Sequence, residues 1–171
     1  MTERITMPCV PLRGLSVFPR TILHFDIGRE KSIKALETAM ATDKLLFLTS
    51  QKDDNILLPT PEDYYHVGTV VKVKQMLKIQ GDAVRVLVEG QYRAKLEEIA
   101  SEDPFISCEI SRAEIIEADP QEPEVQAMMR SVLDAFDEYI ALQPNIKDEV
   151  YDLISSIDEP DIFADTIAMQ M

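Results

Sequence analysis

A chain of 171 residues with 46% apolar composition can bury a real core, so a disordered tail is excluded. Its net charge of −14 and lack of a basic cluster argue against nucleic acid, because phosphate contacts need Lys and Arg. No apolar run approaches the ~18 residues of a membrane span, and MTERITMPCV lacks the apolar stretch of a secretory signal. The expectation is a cytoplasmic chain with no membrane contact.

The first part reads as mostly β. PCVPL (8–12) carries Pro8 and Pro11, which suits a short edge strand. RGLSVFPR (13–20) reads as a loop, and TILHFDIG (21–28) as an extended run closed by Gly28. EKSIKALETAMAT (30–42) places Ile33, Leu36, Ala39 and Met40 on one helical face. KLLFLTSQ (44–51) is a continuous apolar strand, covered on both sides. Pro59 and Pro61 make 52–65 a loop without regular structure.

The stretch from His66 to Leu96 is the most regular. Strict alternation puts Val71, Val73, Gln75, Leu77 and Ile79 on one face and Val70, Lys72, Lys74, Met76 and Lys78 on the other. Gln80-Gly81-Asp82 supplies the turn. Val84, Val86 and Val88 then point inward, with Arg85 and Glu89 outward. Gly90 interrupts as a bulge, Tyr92, Ala94 and Leu96 resume, and FISCEI (105–110) is one more strand. Short strands with one apolar face each point to a rolled or closed sheet.

The composition then changes. Residues 1–110 hold 14 Lys+Arg against 16 Asp+Glu, whereas residues 111–171 hold 3 against 15. A boundary is expected here, giving a β-rich domain over 1–112 and a helical one over 118–171. Val125, Met128, Met129, Val132, Leu133, Phe136, Tyr139 and Ile140 form a stripe on a helix over 123–142, stopped by Pro144. A second helix over 146–157 shows Ile146, Val150, Leu153 and Ile154. Asp158-Glu159-Pro160-Asp161 opens a third with an acidic cap, bearing Ile162, Phe163, Thr166, Ile167 and Met169. That pattern still runs at Met171, as in a piece of a longer protein.

Catalytic signatures are missing. The five glycines form neither GxGxxG nor GxxxxGK[ST], and no GxSxG occurs. Cys9 and Cys108 read as buried free thiols rather than a metal pair. His24 and His66 are isolated. Carboxylate pairs such as Asp53-Asp54 and Glu97-Glu98 read as solvated loop charge. A binding module is favoured over an enzyme with a scattered site.

One pattern covers the whole chain. Pro11-Leu12-Arg13, Phe18-Pro19, Gly28-Arg29-Glu30-Lys31-Ser32, Val67-Gly68-Thr69, Lys74-Gln75-Met76-Leu77-Lys78 and Val88-Glu89-Gly90 occur in an order and spacing that resemble the N-terminal region of bacterial ATP-dependent Lon proteases. Asp158-Glu159-Pro160 and Phe163-Ala164-Asp165-Thr166-Ile167-Ala168 extend the likeness. The resemblance implies an α+β chain. Its first part is a PUA-like β-rich pseudo-barrel with one or two helices, and an α-helical bundle follows. It implies a non-catalytic part of an ATP-dependent serine protease, with the Ser–Lys dyad and the ATPase module elsewhere. No cofactor is expected in this chain, ATP and Mg belonging to that ATPase module. The implied partners are unfolded or damaged protein substrates and the other subunits of a homo-hexamer. A stand-alone interaction protein of the same domain type, or an assembly module, is the alternative.

Receptors for unfolded chains need apolar, adaptable surface. Phe18 and Pro19 of the first loop, Leu57 and Leu58 of the second, and Met76 and Leu77 near the ribbon tip are the candidates. Phe18 and Met76 are favoured for contact. Leu77 and Ile79, sharing the inward face, are expected in the core.

Overall fold

The computed structural model describes residues 3–143 and 148–171. Two compact units divide them, Met1–Glu114 and Ile115–Met171.

The first unit is built from six strands: β1 (Arg4–Leu12), β2 (Ile22–Ile27), β3 (Leu45–Ser50), β4 (Val67–Lys78), β5 (Val84–Ser101) and β6 (Ser107–Arg112), with helix α1 (Glu30–Ala41) between β2 and β3. The sheet order is β2-β5-β4-β3-β1-β6, and β5 also pairs with β6. That extra pairing closes five strands into a ring, with β2 hung on the first half of β5. Alternation along the strands sends side chains to two sides. Leu46 and Leu48 join Val10, Val71, Val86 and the α1 residues Ala35 and Leu36 in one cluster. Phe47, between them, joins Met7, Cys9, Val70, Ala94 and Ile110 in the other. β3 is thus covered on both faces, as its unbroken apolar run requires.

β1 departs from expectation. It is longer than 8–12, and it is an interior strand between β3 and β6. Its prolines are accommodated because its partners change midway. Residues 4–8 pair with β6 and residues 9–12 with β3. The Cys9 N–H donates toward Ile106 on the β6 side. Alternation therefore turns the Pro11 nitrogen to that side, past the end of β6, and the Pro8 nitrogen toward β3 before their pairing begins. Neither ring removes a ladder hydrogen bond. The 52–65 loop also holds a short 3₁₀ turn over Pro61–Asp63, where Thr60 and Asp63 cap each other.

The ribbon of β4 and β5 carries two irregularities. Val70 opposes Tyr92 and Val71 opposes Gly90, which leaves Gln91 over. This is the bulge expected at Gly90. Val73 opposes Val88 and Gln75 opposes Leu87, which leaves Lys74 over. One extra residue reverses the phase of everything beyond it. Met76 therefore lies across from Val86 and packs on the first cluster, while Leu77 lies across from Arg85 and is 50% exposed. The expected roles of Met76 and Leu77 are exchanged. Ile79 is half-buried beside the turn and joins neither cluster. Gly81 has φ +82°, the left-handed conformation such a turn favours.

The second unit has three described helices, α2 (Pro123–Ala141), α3 (Asp148–Ser155) and α4 (Pro160–Ala168). Phe136, Ile154, Phe163 and Ile167 form its core, with Met129, Leu133, Tyr139, Ile140 and Val150 against them. Met128, Val132, Leu153 and Met169, expected in the buried stripes, are exposed. The three described helices leave each with one covered side, so only the centre of an apolar stripe is buried. Glu159 precedes α4 without a side-chain capping bond, so the expected acidic cap does not form, and Pro160 stands in the first turn. Pro144 and Ile146 lie outside the described residues.

Candidate functional site

Two loops meet at one end of the first unit. Residues 13–21 cross from β1 to β2 and are held along their length. The Thr69 hydroxyl donates to the Val17 carbonyl at 2.6 Å. The Arg20 N–H donates to the Gly90 carbonyl and the Gly90 N–H to the Thr21 carbonyl. Residues 51–65 are held as firmly. Gln51 is buried, and its amide nitrogen donates to the carbonyls of Asp53 and Ile56, both at 2.6 Å. The Tyr64 hydroxyl donates to the Pro59 carbonyl at 3.2 Å. Burial pushes that phenol up to about 12, so it stays a donor. The loops are tied together where the Gly14 N–H donates to Asp54 Oδ1 at 2.9 Å and the Ser50 hydroxyl to the Leu15 carbonyl at 2.9 Å.

These ties fix an apolar display. Leu57 is 72% exposed and Leu58 is 90% exposed, on a loop whose flanking carbonyls, those of Ile56 and Pro59, already accept hydrogen bonds from Gln51 and Tyr64. The first loop walls a cleft of about 390 Å³ with Phe18, Tyr65, His66, Val67 and Arg93 among its lining. Tyr65 and Val67 are half-exposed at its rim. The Arg93 guanidinium lies 5.8 Å from the centre of the Phe18 ring, a cation–π distance that orients the ring.

The six sequence candidates are therefore split. Phe18, Leu57 and Leu58 belong to this end, with Phe18 half-buried. Pro19 is buried and serves packing. Leu77 sits in a separate small cleft of about 180 Å³ with His24, Gln75, Arg85 and Leu87. From Thr69, which touches the first loop, eight residues of strand lead to Leu77, a distance of about 25 Å. Phe18 and Leu77 therefore line different clefts. Tyr65, Val67 and Arg93 were missed because strand pairing, not sequence distance, brings them to the first loop.

No group of His, Cys, Asp and Glu that could hold a metal occurs among the described residues. No helix there is long and apolar enough to cross a membrane. Cys9 and Cys108 are free and buried. A hydrogen bond with Cys108, then burial, raises the Cys9 thiol well above its ordinary value, which leaves it a poor nucleophile.

The same architecture recurs in known proteins. The N-terminal domain of a Mycobacterium avium complex Lon protease superposes with a TM-score of 0.67 at 20% identity, covering 95% of this chain and 81% of that one. A Lon N-terminal domain protein from Xanthomonas campestris gives 0.57 at 13% identity, covering 98% and 99%. In sequence, the Lon protease of Clostridioides difficile (strain 630) is 46% identical over 166 residues, which are 95% of this chain and 21% of that protein. Lon protease 1 of Bacillus subtilis (strain 168) is 41% identical, over 97% and 21%. The chain thus spans about a fifth of the length of these relatives. Residues 6–171 match the family model described as the ATP-dependent protease La (LON) substrate-binding domain. With the closed sheet, the ribbon motifs and this match in agreement, the chain belongs to the LON substrate-binding domain family.

Proposed function

We propose that this chain recognises unfolded or damaged protein segments through the apolar display of the two tied loops and delivers them to an ATP-dependent Lon protease. The observation that carries this reading is the exposure of Leu57 and Leu58 on a loop pinned by Gln51, Tyr64 and Gly14. Two exposed leucines on such a loop are set for apolar segments with little ordering cost on the loop's own side, the segment alone losing its freedom. Phe18, Tyr65 and Val67 extend the contact around the cleft. In this reading the chain does no chemistry and holds no cofactor. ATP and Mg act at an ATPase module, peptide cleavage at a Ser–Lys dyad elsewhere, and the whole works in the cytoplasm as a homo-hexamer. Leu77 offers a second, independent contact on the ribbon.

The test is a titration of isotope-labelled chain with an unfolded model protein and, separately, with its folded form, followed by NMR. Shifts at 15–18, 56–58 and 65–67, seen only with the unfolded form and abolished by Leu57→Ser with Leu58→Ser, are expected. No shift at these residues overturns the reading and favours an assembly role.

A further inference from the structure

The Gly28-Arg29-Glu30-Lys31-Ser32 motif has no part in the loop display. It opens α1, beside a cleft of about 320 Å³ lined by Arg13, Arg29 and Ser32 together with Leu12, Leu15 and Phe25. Three features make this cleft attract a small anion. First, the N–H groups of Glu30, Lys31 and Ser32 precede the first helical bond, which runs from Ile33 to Arg29, and Arg29 provides no side-chain cap. Free N–H groups and the helix dipole together favour negative charge there. Second, Ser32 is only 5% exposed and lines the cleft. No enclosed side-chain polar atom among the described residues lacks a partner, and the Ser32 hydroxyl makes no hydrogen bond to them, so it opens into the cleft and its donor is available to a ligand. Third, Arg13 and Arg29 place two cations on the rim. Arg29 also donates to the Gln51 amide oxygen at 3.1 Å. The one carboxylate in the lining, Asp26, is held by Arg85 through two hydrogen bonds of 2.7 and 2.9 Å, so its charge is compensated. Glu30 is paired with Lys34.

The rest of the lining is apolar, which suits an oxyanion carried on an apolar body. We infer that this cleft binds the C-terminal carboxylate of a protein chain whose last residue is apolar, the carboxylate meeting the α1 N–H groups, Ser32 and Arg13, and the side chain resting on Leu12, Leu15 and Phe25. This rests on the substrate-recognition reading and adds a chain end to the internal segments bound at the loops. Arg29 and Gln51 join the two sites, because the same Gln51 amide holds the loop that displays Leu57 and Leu58.

The experiment follows the amides of Gly28–Ser32 by NMR in the 171-residue chain. The probes are N-acetyl-leucine, its amide N-acetyl-leucinamide, and inorganic phosphate. Saturable shifts with the acid alone are expected. Ser32→Ala and Arg13→Gln, which leave the packing intact, should each weaken binding about tenfold, the usual effect of losing one charge-assisted bond. Equal shifts with the amide, equally tight binding of phosphate, or indifference to both substitutions would each overturn the inference. If N-acetyl-leucine does not bind while an unfolded protein still shifts the 56–58 loop, this inference fails and the recognition reading stands. If neither binds, both fail.

Discussion

A side-chain carbon on Gly90 would overlap the carbonyl oxygen of Phe18 and press on the backbone of Pro19. The bulge of β5 and the first loop are thus fitted to one another, and the loop lies as close as a backbone can. Gly90→Ala should force them apart. A loss of about 3 kcal/mol of stability is expected, the range of severe backbone clashes. Denaturant unfolding reads this, and the amides of 17–21 should shift most.

The bond from the Gly14 N–H to Asp54 is exposed, so its worth to stability is small. Asp54→Ala should cost no more than about 1 kcal/mol. It removes one of the ties between the loops, however, leaving the Ser50 bond to Leu15, so affinity for an unfolded protein should fall while the unfolding midpoint barely moves. An unchanged affinity would mean that the loops act separately.

The extra residue Lys74 makes opposite predictions for two neighbours. Met76→Ser opens space under the first cluster and should cost about 2 kcal/mol or more. Leu77→Ser should change stability by no more than about 0.5 kcal/mol. Reversal of these effects in thermal melts would show that β4 keeps strict alternation.

Several carboxylates are held below their ordinary values. Arg85 does this for Asp26, Lys34 for Glu30, Lys74 for Glu89, and the Thr60 N–H for Asp63. A lowered native value means that the unfolded chain binds more protons in acid. Their contribution is therefore complete above the ordinary carboxylate range and lost as pH falls through the lowered values. Stability should be level near neutrality and decline below about pH 4. Asp26→Asn should flatten part of that decline, and no change in the acid limb would contradict it.

Cys9 and Cys108 are buried, and Cys9 is the harder to ionise. A thiol reagent such as DTNB should label neither in the folded chain at neutral pH, and two thiols once denaturant is added. Fast labelling of the native chain would place one of them at the surface.

Much of the architecture was legible because burial writes itself into alternation. The faces of β3, β5 and α1 follow directly from their apolar spacing. β1 reads as an edge strand in the sequence, but its prolines are excused by a change of partner, which is a property of the sheet and not of the strand. Met76 and Leu77 were exchanged because the bulge at Lys74 has no glycine to mark it, unlike the one beside Gly90. Leu57 and Leu58 were readable as loop apolar residues. Tyr65 and Arg93 were not, since only the register of β4 against β5, Thr69 opposite Arg93, carries them to Phe18.

The closure of the sheet has a consequence for synthesis. β1 pairs Arg4 with Ser111 and Met7 with Cys108, so its residues 4–8 must wait until β6 has been made. At about 5–20 residues per second, that delay is roughly 5–20 s. Throughout it, Met7 and Cys9 lack Cys108 and Ile110, the β6 residues of their cluster. While it is being made, this chain is therefore expected to show the same kind of apolar segment that its finished form is proposed to bind, and copies growing side by side on one messenger are expected to capture each other's first strands.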